Sequence, residues 1–129
     1  MSALTFDELS RINRERCLRW HEDSGAWTGA DWATALGGEC GEALNVVKKL
    51  RRLETGIRGG PGMADVPPEH DHDDLMAALA DELADTMLYL DLLAWHYGID
   101  LPFAIQEKFN RKSIEQGFPE RVYARVVDP

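Results

Sequence analysis

Apolar residues recur every three or four positions through most of this chain, which is the spacing of amphipathic helices. Four helices are predicted, at about residues 5–22, 28–52, 74–97 and 102–115. Their ends carry recognisable signals: Thr5 with Glu8 forms a capping box, Gly98 ends the third helix, and Pro102 begins the fourth. The pattern predicts an all-α fold.

The same periodicity predicts which side chains form the core. One face of the first helix is apolar and is expected to be buried: Phe6, Leu9, Ile12, Cys17 and Trp20. The third helix is apolar over most of its circumference, which predicts a central, buried helix. Residues 55–74 are rich in Gly and Pro and are expected to form a long flexible loop, and residues 117–129 are expected to form an extended tail.

Two pairs of acidic residues interrupt the apolar stripes of the second and third helices. Glu39 and Glu42 form one pair, and Glu82 and Asp85 form the other. Residues three apart lie on the same side of a helix, so each pair should converge, and antiparallel helices would bring all four together. Since a carboxylate removed from water costs several kcal/mol unless a positive charge meets it, we expect a bound divalent cation.

Oxygen ligands of this kind suit Mg²⁺ or Mn²⁺. The same acidic residues have two other interpretations. A solvated helix face is the ordinary meaning of a single Glu-x-x-Glu, but two pairs on adjacent helices favour metal. A carboxylate-bridged di-iron site would need Glu-x-x-His motifs, and no histidine stands at that offset.

The composition of the chain limits the kinds of partner it is expected to bind. The chain has 129 residues, which suits a single domain, and a net charge of -9, which disfavours binding to a nucleic-acid polymer or an anionic membrane. Its two cysteines fit reduced thiols in the cytoplasm, and the start of the sequence shows no signal peptide. The wide apolar helix faces suggest a homodimer or homotetramer.

Three segments carry a family resemblance. They are ALGGECGEA at 35–43, DELADTMLYL at 81–90 and KFNRKS at 108–113. With the four-helix layout, they resemble the MazG-like all-α nucleoside triphosphate pyrophosphohydrolases, a superfamily that includes dimeric dUTPases, dCTP pyrophosphatases and phosphoribosyl-ATP pyrophosphohydrolases. The resemblance covers about residues 5–115 and implies a four-helix MazG-like bundle.

The resemblance also implies roles for individual residues. Glu39, Glu42, Glu82 and Asp85 would be the Mg²⁺ ligands. Lys108 and Arg111 would face the triphosphate, Asn110 would contact the nucleotide, and Tyr89 would line the pocket as in the dCTP-pyrophosphatase branch. Many members of the superfamily have a second glutamate where this chain has Gly38, whereas the dCTP-pyrophosphatase branch also has Gly at this position. Water activation would then fall to the metal, aided by Glu39 or Glu42 as the catalytic carboxylates.

Aromatic residues before the first acidic pair are candidates for stacking a nucleobase. Trp27 is the better candidate because it lies in a predicted loop, whereas Trp32 also fits a core position. His21 could hydrogen-bond a base, but the sequence favours an ordinary surface histidine at this position.

The functional expectation is therefore an Mg²⁺-dependent enzyme that hydrolyses a nucleoside triphosphate to the monophosphate and pyrophosphate, in nucleotide-pool house-cleaning. Two alternatives stay open. One is a phosphoribosyl-ATP pyrophosphohydrolase, since the acidic pairs do not distinguish that substrate from a free nucleoside triphosphate. The other is a non-catalytic helical interaction protein that retains a relic site.

Overall fold

The computed structural model of the chain describes residues 2–20, 26–56 and 72–124. In these ranges there are four α-helices and no strand: α1 (Phe6–Trp20), α2 (Gly29–Thr55), α3 (His72–His96) and α4 (Leu101–Gln116). The all-α prediction is confirmed, and the helix ends differ from the predicted ends by only a few residues. None of the described helices combines the length and hydrophobicity that crossing a bilayer requires.

The helix ends form where the sequence places their caps. Thr5 accepts a hydrogen bond at its Oγ1 from the Glu8 N–H at 3.2 Å, and Asp100 accepts one at its Oδ1 from the Phe103 N–H at 3.1 Å. Each bond satisfies an N–H group that the first helical turn leaves without a partner. At the other end of α4, Gly117 adopts a φ of 72°, which glycine reaches without steric cost.

The chain forms two compact units. One comprises residues 30–90, with nearly all of α2 and most of α3. Its core joins Val46 and Leu50 of α2 to Leu75 of α3, with Ala78 and Leu79 packed against them. Since later residues of α2 meet earlier residues of α3, the two helices run antiparallel in this unit.

The other unit comprises residues 1–29 and 91–129, and the most buried of its described side chains is an aspartate. Asp91 is 1% exposed. Its carboxylate accepts hydrogen bonds from the Ser10 hydroxyl at 2.5 Å and from the Asn13 amide at 2.9 Å. Both partners are themselves buried. This network attaches α1 to the last residues of α3 through polar groups.

The Asp91 network explains why the predicted apolar face of α1 is partly wrong. Ile12 is 45% exposed and Trp20 is 73% exposed, whereas the buried positions of α1 are Ser10, Asn13 and Cys17. The helix is rotated so that the donors needed by Asp91 point inward. Helical periodicity located α1 correctly and placed Cys17 in the core, but it misplaced Ile12 and Trp20.

The prediction that α3 is buried around its circumference is also wrong for the single chain. Leu83 is 55% exposed and Leu90 is 37% exposed. On the facing helix of the same unit, Leu44 is 69% exposed and Val47 is 46% exposed. In this unit α2 and α3 therefore each carry apolar side chains that the single chain does not cover.

The predicted loop at 55–74 is shorter at both ends, because α2 continues through Thr55 and α3 begins at His72. Residues 57–71 lie outside the described residues. In the predicted tail, residues 118–124 have no regular secondary structure, and residues 125–129 lie outside the described part.

Two side chains of α4 hold this tail. The Asn110 amide donates to the Val122 carbonyl and accepts from the Val122 N–H, both at 2.8 Å. One turn earlier, Gln106 accepts from the Ala124 N–H at 2.7 Å. The two amides lie on one side of α4, at positions i and i+4, and they satisfy backbone groups that no sheet partner satisfies.

Replacing Asn110 by alanine should release the tail without unfolding the helices. Loss of the bond to the Val122 N–H, of about 1 kcal/mol, should speed hydrogen exchange of that amide about fivefold. Amide exchange measured by NMR checks this, with Glu115→Ala on the same helix as the control. Unchanged exchange of the Val122 amide in the Asn110 variant would mean that Asn110 does not hold the tail.

Candidate metal centre

The predicted acidic pairs lie on α2 and α3, within the unit of residues 30–90. Glu39 and Glu42 are three residues apart on α2, so their side chains leave the helix on the same side. Glu82 faces them from α3. One carboxylate oxygen from each of these three residues lies within 4.8 Å of the other two. Antiparallel packing of the two helices therefore produces a convergent set of three acids.

Asp85 has no oxygen in this close set. It nevertheless lies near enough for its negative charge to raise the pKa of both Glu39 and Glu82. The structure thus brings three of the four predicted ligands together and places the fourth beside them.

The expectation that these acids are removed from water is wrong for two of the four. Glu39 and Glu82 are half-buried, whereas Glu42 and Asp85 are exposed. Burial of charge therefore does not by itself demand a cation here. The mutual proximity of like charges is the feature that favours one.

Electrostatics within the cluster are unfavourable without a cation. Partial burial, then the charges of Glu42 and Asp85, raise the pKa of Glu39 above its ordinary value of 4.5. Partial burial, a hydrogen bond with Glu42, and the charges of Glu42, Glu39 and Asp85 raise the pKa of Glu82. Both acids therefore hold a proton more tightly in the folded chain than in the unfolded chain.

Because the pKa values of Glu39 and Glu82 are raised, the protein in chelator should become less stable as the pH increases. The folded state binds more protons than the unfolded state, so stability should fall as the pH rises from about 4.5 through the raised values. Glu39→Gln removes one of the titrating groups. In chelator, the melting temperature of the variant should therefore increase relative to that of the wild type as the pH rises. A constant difference between the two at every pH would contradict this electrostatic description.

The three acids fit the preferences of a small divalent cation. Ligand oxygens in an octahedral Mg²⁺ shell lie about 2.1 Å from the ion, and therefore about 3–4 Å from one another. The carboxylate oxygens of the three acids lie within 4.8 Å of one another, which is close to this spacing. Small side-chain rotations would close the remaining gap. The exposure of Glu42 leaves room for the water molecules that Mg²⁺ usually retains.

An aromatic pair lies in the same unit. The ring centroids of Trp32 on α2 and Tyr89 on α3 are 6.4 Å apart, with the planes tilted by 45°. Trp32 is only 2% exposed, as expected for a core residue, so its ring offers no open face for stacking a base. Tyr89 is half-buried and is the accessible member of the pair.

The remaining predicted substrate contacts lie elsewhere along the chain. Lys108 and Arg111 are exposed on α4, and Trp27 is half-buried just before α2. All three belong to the unit of residues 1–29 and 91–129, and their role toward a nucleotide stays a prediction. Asn110 already uses its amide to hold the tail. His21 lies outside the described residues.

Sequence reasoning missed the buried network around Asp91 and the arginine connected to it. Arg14 donates to the Ser10 hydroxyl at 3.1 Å, and its guanidinium carbon lies 5.9 Å from the centre of the Trp95 ring. A signal was present, since Asp91 is an acid inside an apolar run, the criterion that selected Glu39 and Glu82. Unlike Glu39 and Glu82, Asp91 has no second acid three residues away, so the paired pattern does not include it.

Comparison with known protein families and with curated proteins finds no significant match for this chain.

Proposed function

We propose that this chain is an Mg²⁺-dependent nucleoside triphosphate pyrophosphohydrolase of the MazG-like type. One observation carries the proposal: carboxylate oxygens of Glu39, Glu42 and Glu82 lie within 4.8 Å of one another, contributed by two antiparallel helices. Three acids at this distance repel one another unless a cation or protons neutralise them. The resemblance of the segments at 35–43, 81–90 and 108–113 to that superfamily supports the same assignment.

In this proposal Glu39, Glu42 and Glu82 hold the cation, and Asp85 adds negative charge beside them or completes the shell after a side-chain rotation. A bound Mg²⁺ would neutralise phosphate charge and lower the pKa of a coordinated water. Glu39 or Glu42 would then accept the proton of the attacking water. Attack at the α-phosphorus forms a new P–O bond and breaks the α–β anhydride, releasing monophosphate and pyrophosphate.

Substrate binding needs positive charge besides the metal, because the chain carries a net charge of -9. Lys108 and Arg111 are the proposed partners of the phosphate oxygens, as the family resemblance implies. Tyr89 and Trp27 are the proposed contacts of the base, with Trp32 supporting Tyr89 from the core.

Oligomer formation is part of the same proposal. The exposed leucines and valine at positions 44, 47, 83 and 90 lie on the two helices that carry the acids. A second copy of the chain covering these side chains would bury apolar area. The proposed state is a homodimer or homotetramer.

A pyrophosphate-release screen tests the activity directly. Common and modified (d)NTPs and phosphoribosyl-ATP are incubated with the protein, with Mg²⁺ or with chelator. Equimolar monophosphate and pyrophosphate from at least one free nucleotide, only with the metal, is the expected result. Turnover restricted to phosphoribosyl-ATP would favour the related alternative activity. No turnover of any substrate would favour a non-catalytic helical protein.

A further inference from the structure

A groove of about 450 Å³ lies along the last turns of α4, within the unit of residues 1–29 and 91–129. One wall comes from α4 and the other from the first residues of the tail. The side chains that line it are Phe109, Lys112, Ser113, Gln116, Phe118 and Glu120. The volume is within the range of about 300–1,000 Å³ typical of small-molecule sites. None of the four acids of the candidate metal centre lines this groove.

Ser113 is the unusual member of the wall. It is 7% exposed, and its hydroxyl has no hydrogen-bond partner among the described residues. The hydroxyls of Thr34, Thr55 and Thr86 each donate to the carbonyl four residues earlier in their helices, but that of Ser113 does not. Its oxygen is not sealed from water either, because Arg14 Nε is the one sealed and unpartnered side-chain atom in the described ranges. Ser113 therefore offers an unused hydrogen-bonding group to the groove.

The way in which α4 ends explains why the groove is open. The Phe118 N–H donates to the Ser113 carbonyl at 2.8 Å, and the Gly117 N–H donates to the Ile114 carbonyl at 3.0 Å. These are the two bonds of a Schellman motif, in which the residues at the positions of Ser113 and Phe118 commonly make an apolar contact. Here the inner position is a serine, and Phe118 stays exposed. The small side chain leaves space beside the phenylalanine instead of filling it.

The wall formed by the tail is held in place by the chain itself. The Arg121 guanidinium donates to the carbonyls of Phe118 and Glu120, both at 2.7 Å. Further along, Asn110 holds both backbone groups of Val122. Because these contacts already order the wall, a ligand would lose little binding free energy in ordering it. Small-molecule sites are usually formed in advance in this way.

The remaining side chains determine the kind of molecule that fits. Phe109 is also exposed, so two phenylalanine rings border the groove. Lys112 and Glu120 have opposite charges, and the Lys112 ammonium already lies 3.2 Å from the Glu115 carboxylate. The groove therefore has no excess positive charge for an anion, and one exposed carboxylate contributes little to holding a cation. An uncharged molecule with an aromatic ring and one hydrogen-bonding group matches these walls.

We propose that this groove binds a small uncharged aromatic molecule that hydrogen-bonds to Ser113. The ring packs against Phe109 and Phe118, and the polar group pairs with the Ser113 hydroxyl. This proposal is independent of the metal centre and of the activity assigned to it.

Ligand titrations on the unmodified full-length protein provide the first test. Phenol, its isostere fluorobenzene, and benzoate are added in the presence of chelator while ¹⁵N–¹H NMR spectra are recorded. We expect saturable shifts of the Gly117 and Phe118 amides with phenol, with a Kd of about 5 mM or tighter for so small a probe. Benzoate should bind at least about tenfold more weakly, because the groove supplies no net positive charge.

Two outcomes of these titrations would overturn the proposal. One is the absence of a saturable shift with phenol, or benzoate binding as tightly as phenol. The other is a shift of the same two amides that follows protein concentration and is unaffected by phenol, because a second copy of the chain would then cover the groove.

Variants then assign the recognition to individual residues. Ser113→Ala should fold, since its hydroxyl has no partner in the described chain, and it should lower the ratio of phenol affinity to fluorobenzene affinity about fivefold. Phe109→Ala should weaken the binding of both ligands at least about fivefold. Phe103→Ala is the matched control, because Phe103 is exposed on the same helix but does not line the groove. An unchanged affinity ratio in Ser113→Ala, or equal losses in the two phenylalanine variants, would overturn the assignment.

Discussion

Replacing Glu39 by glutamine should reduce pyrophosphate release by more than about 100-fold while the protein stays folded. Changes next to metal ligands already cost about 10–100-fold in metal affinity or activity, and Glu39 is proposed as a ligand itself. Glutamine keeps the shape of the side chain but removes its negative charge. Its amide oxygen is a weaker ligand and cannot accept the proton of the attacking water.

The stability of this variant distinguishes loss of function from loss of fold. In chelator, Glu39→Gln should melt no lower than the wild type, because it removes a charge that Glu42 and Asp85 repel. Glu54→Gln is the matched control: it makes the same substitution on the exposed end of α2, outside the cluster, and should retain full activity. Full activity in Glu39→Gln would remove this residue from the catalytic site.

Replacing Asp91 by alanine should reduce the free energy of unfolding strongly, by about 3 kcal/mol. The Ser10 hydroxyl and the Asn13 amide would each lose a buried acceptor, at about 1–3 kcal/mol per orphaned donor. Relief from burying a carboxylate offsets part of that cost. Urea unfolding followed by circular dichroism gives the free energy of unfolding.

An exposed aspartate on the same helix provides the control for this experiment. Asp81→Ala should change the free energy of unfolding by no more than about 0.5 kcal/mol. A double-mutant cycle between Asp91→Ala and Asn13→Ala should give a coupling energy of about 1 kcal/mol or more, because the two side chains are in direct contact. A cost at Asp91 equal to that at Asp81 would mean that the buried network does not hold α1 in place.

The helices and their ends were predictable because their determinants are local. Thr5, Asp100 and Gly117 act on N–H or C=O groups within a few residues of their own positions, so the sequence around each carries the signal. The convergence of Glu39 and Glu42 was predictable for the same reason, since helical geometry alone determines it. Only the approach of Glu82 needed the further assumption of antiparallel helices.

What could not be predicted depends on contacts between distant residues. The buried face of α1 is set by Asp91, which is 78 residues away from Asn13 in sequence. Periodicity ranks positions by hydrophobicity and therefore favoured Ile12 and Trp20 over the polar residues that Asp91 requires. The burial predicted for the four acids was wrong for Glu42 and Asp85, for a related reason. Apolar neighbours along a helix do not reveal whether another element covers them.

The central claim is that Glu39, Glu42 and Glu82 together hold a divalent cation. Calorimetric titration of Mg²⁺ and Mn²⁺ into chelator-treated, dialysed protein tests it without requiring a known substrate. The account predicts saturable binding with a Kd below about 1 mM, lost in the double variant Glu39→Gln with Glu82→Gln and retained in Glu54→Gln. Absence of saturable binding, or equal binding by the double variant and the wild type, would contradict it.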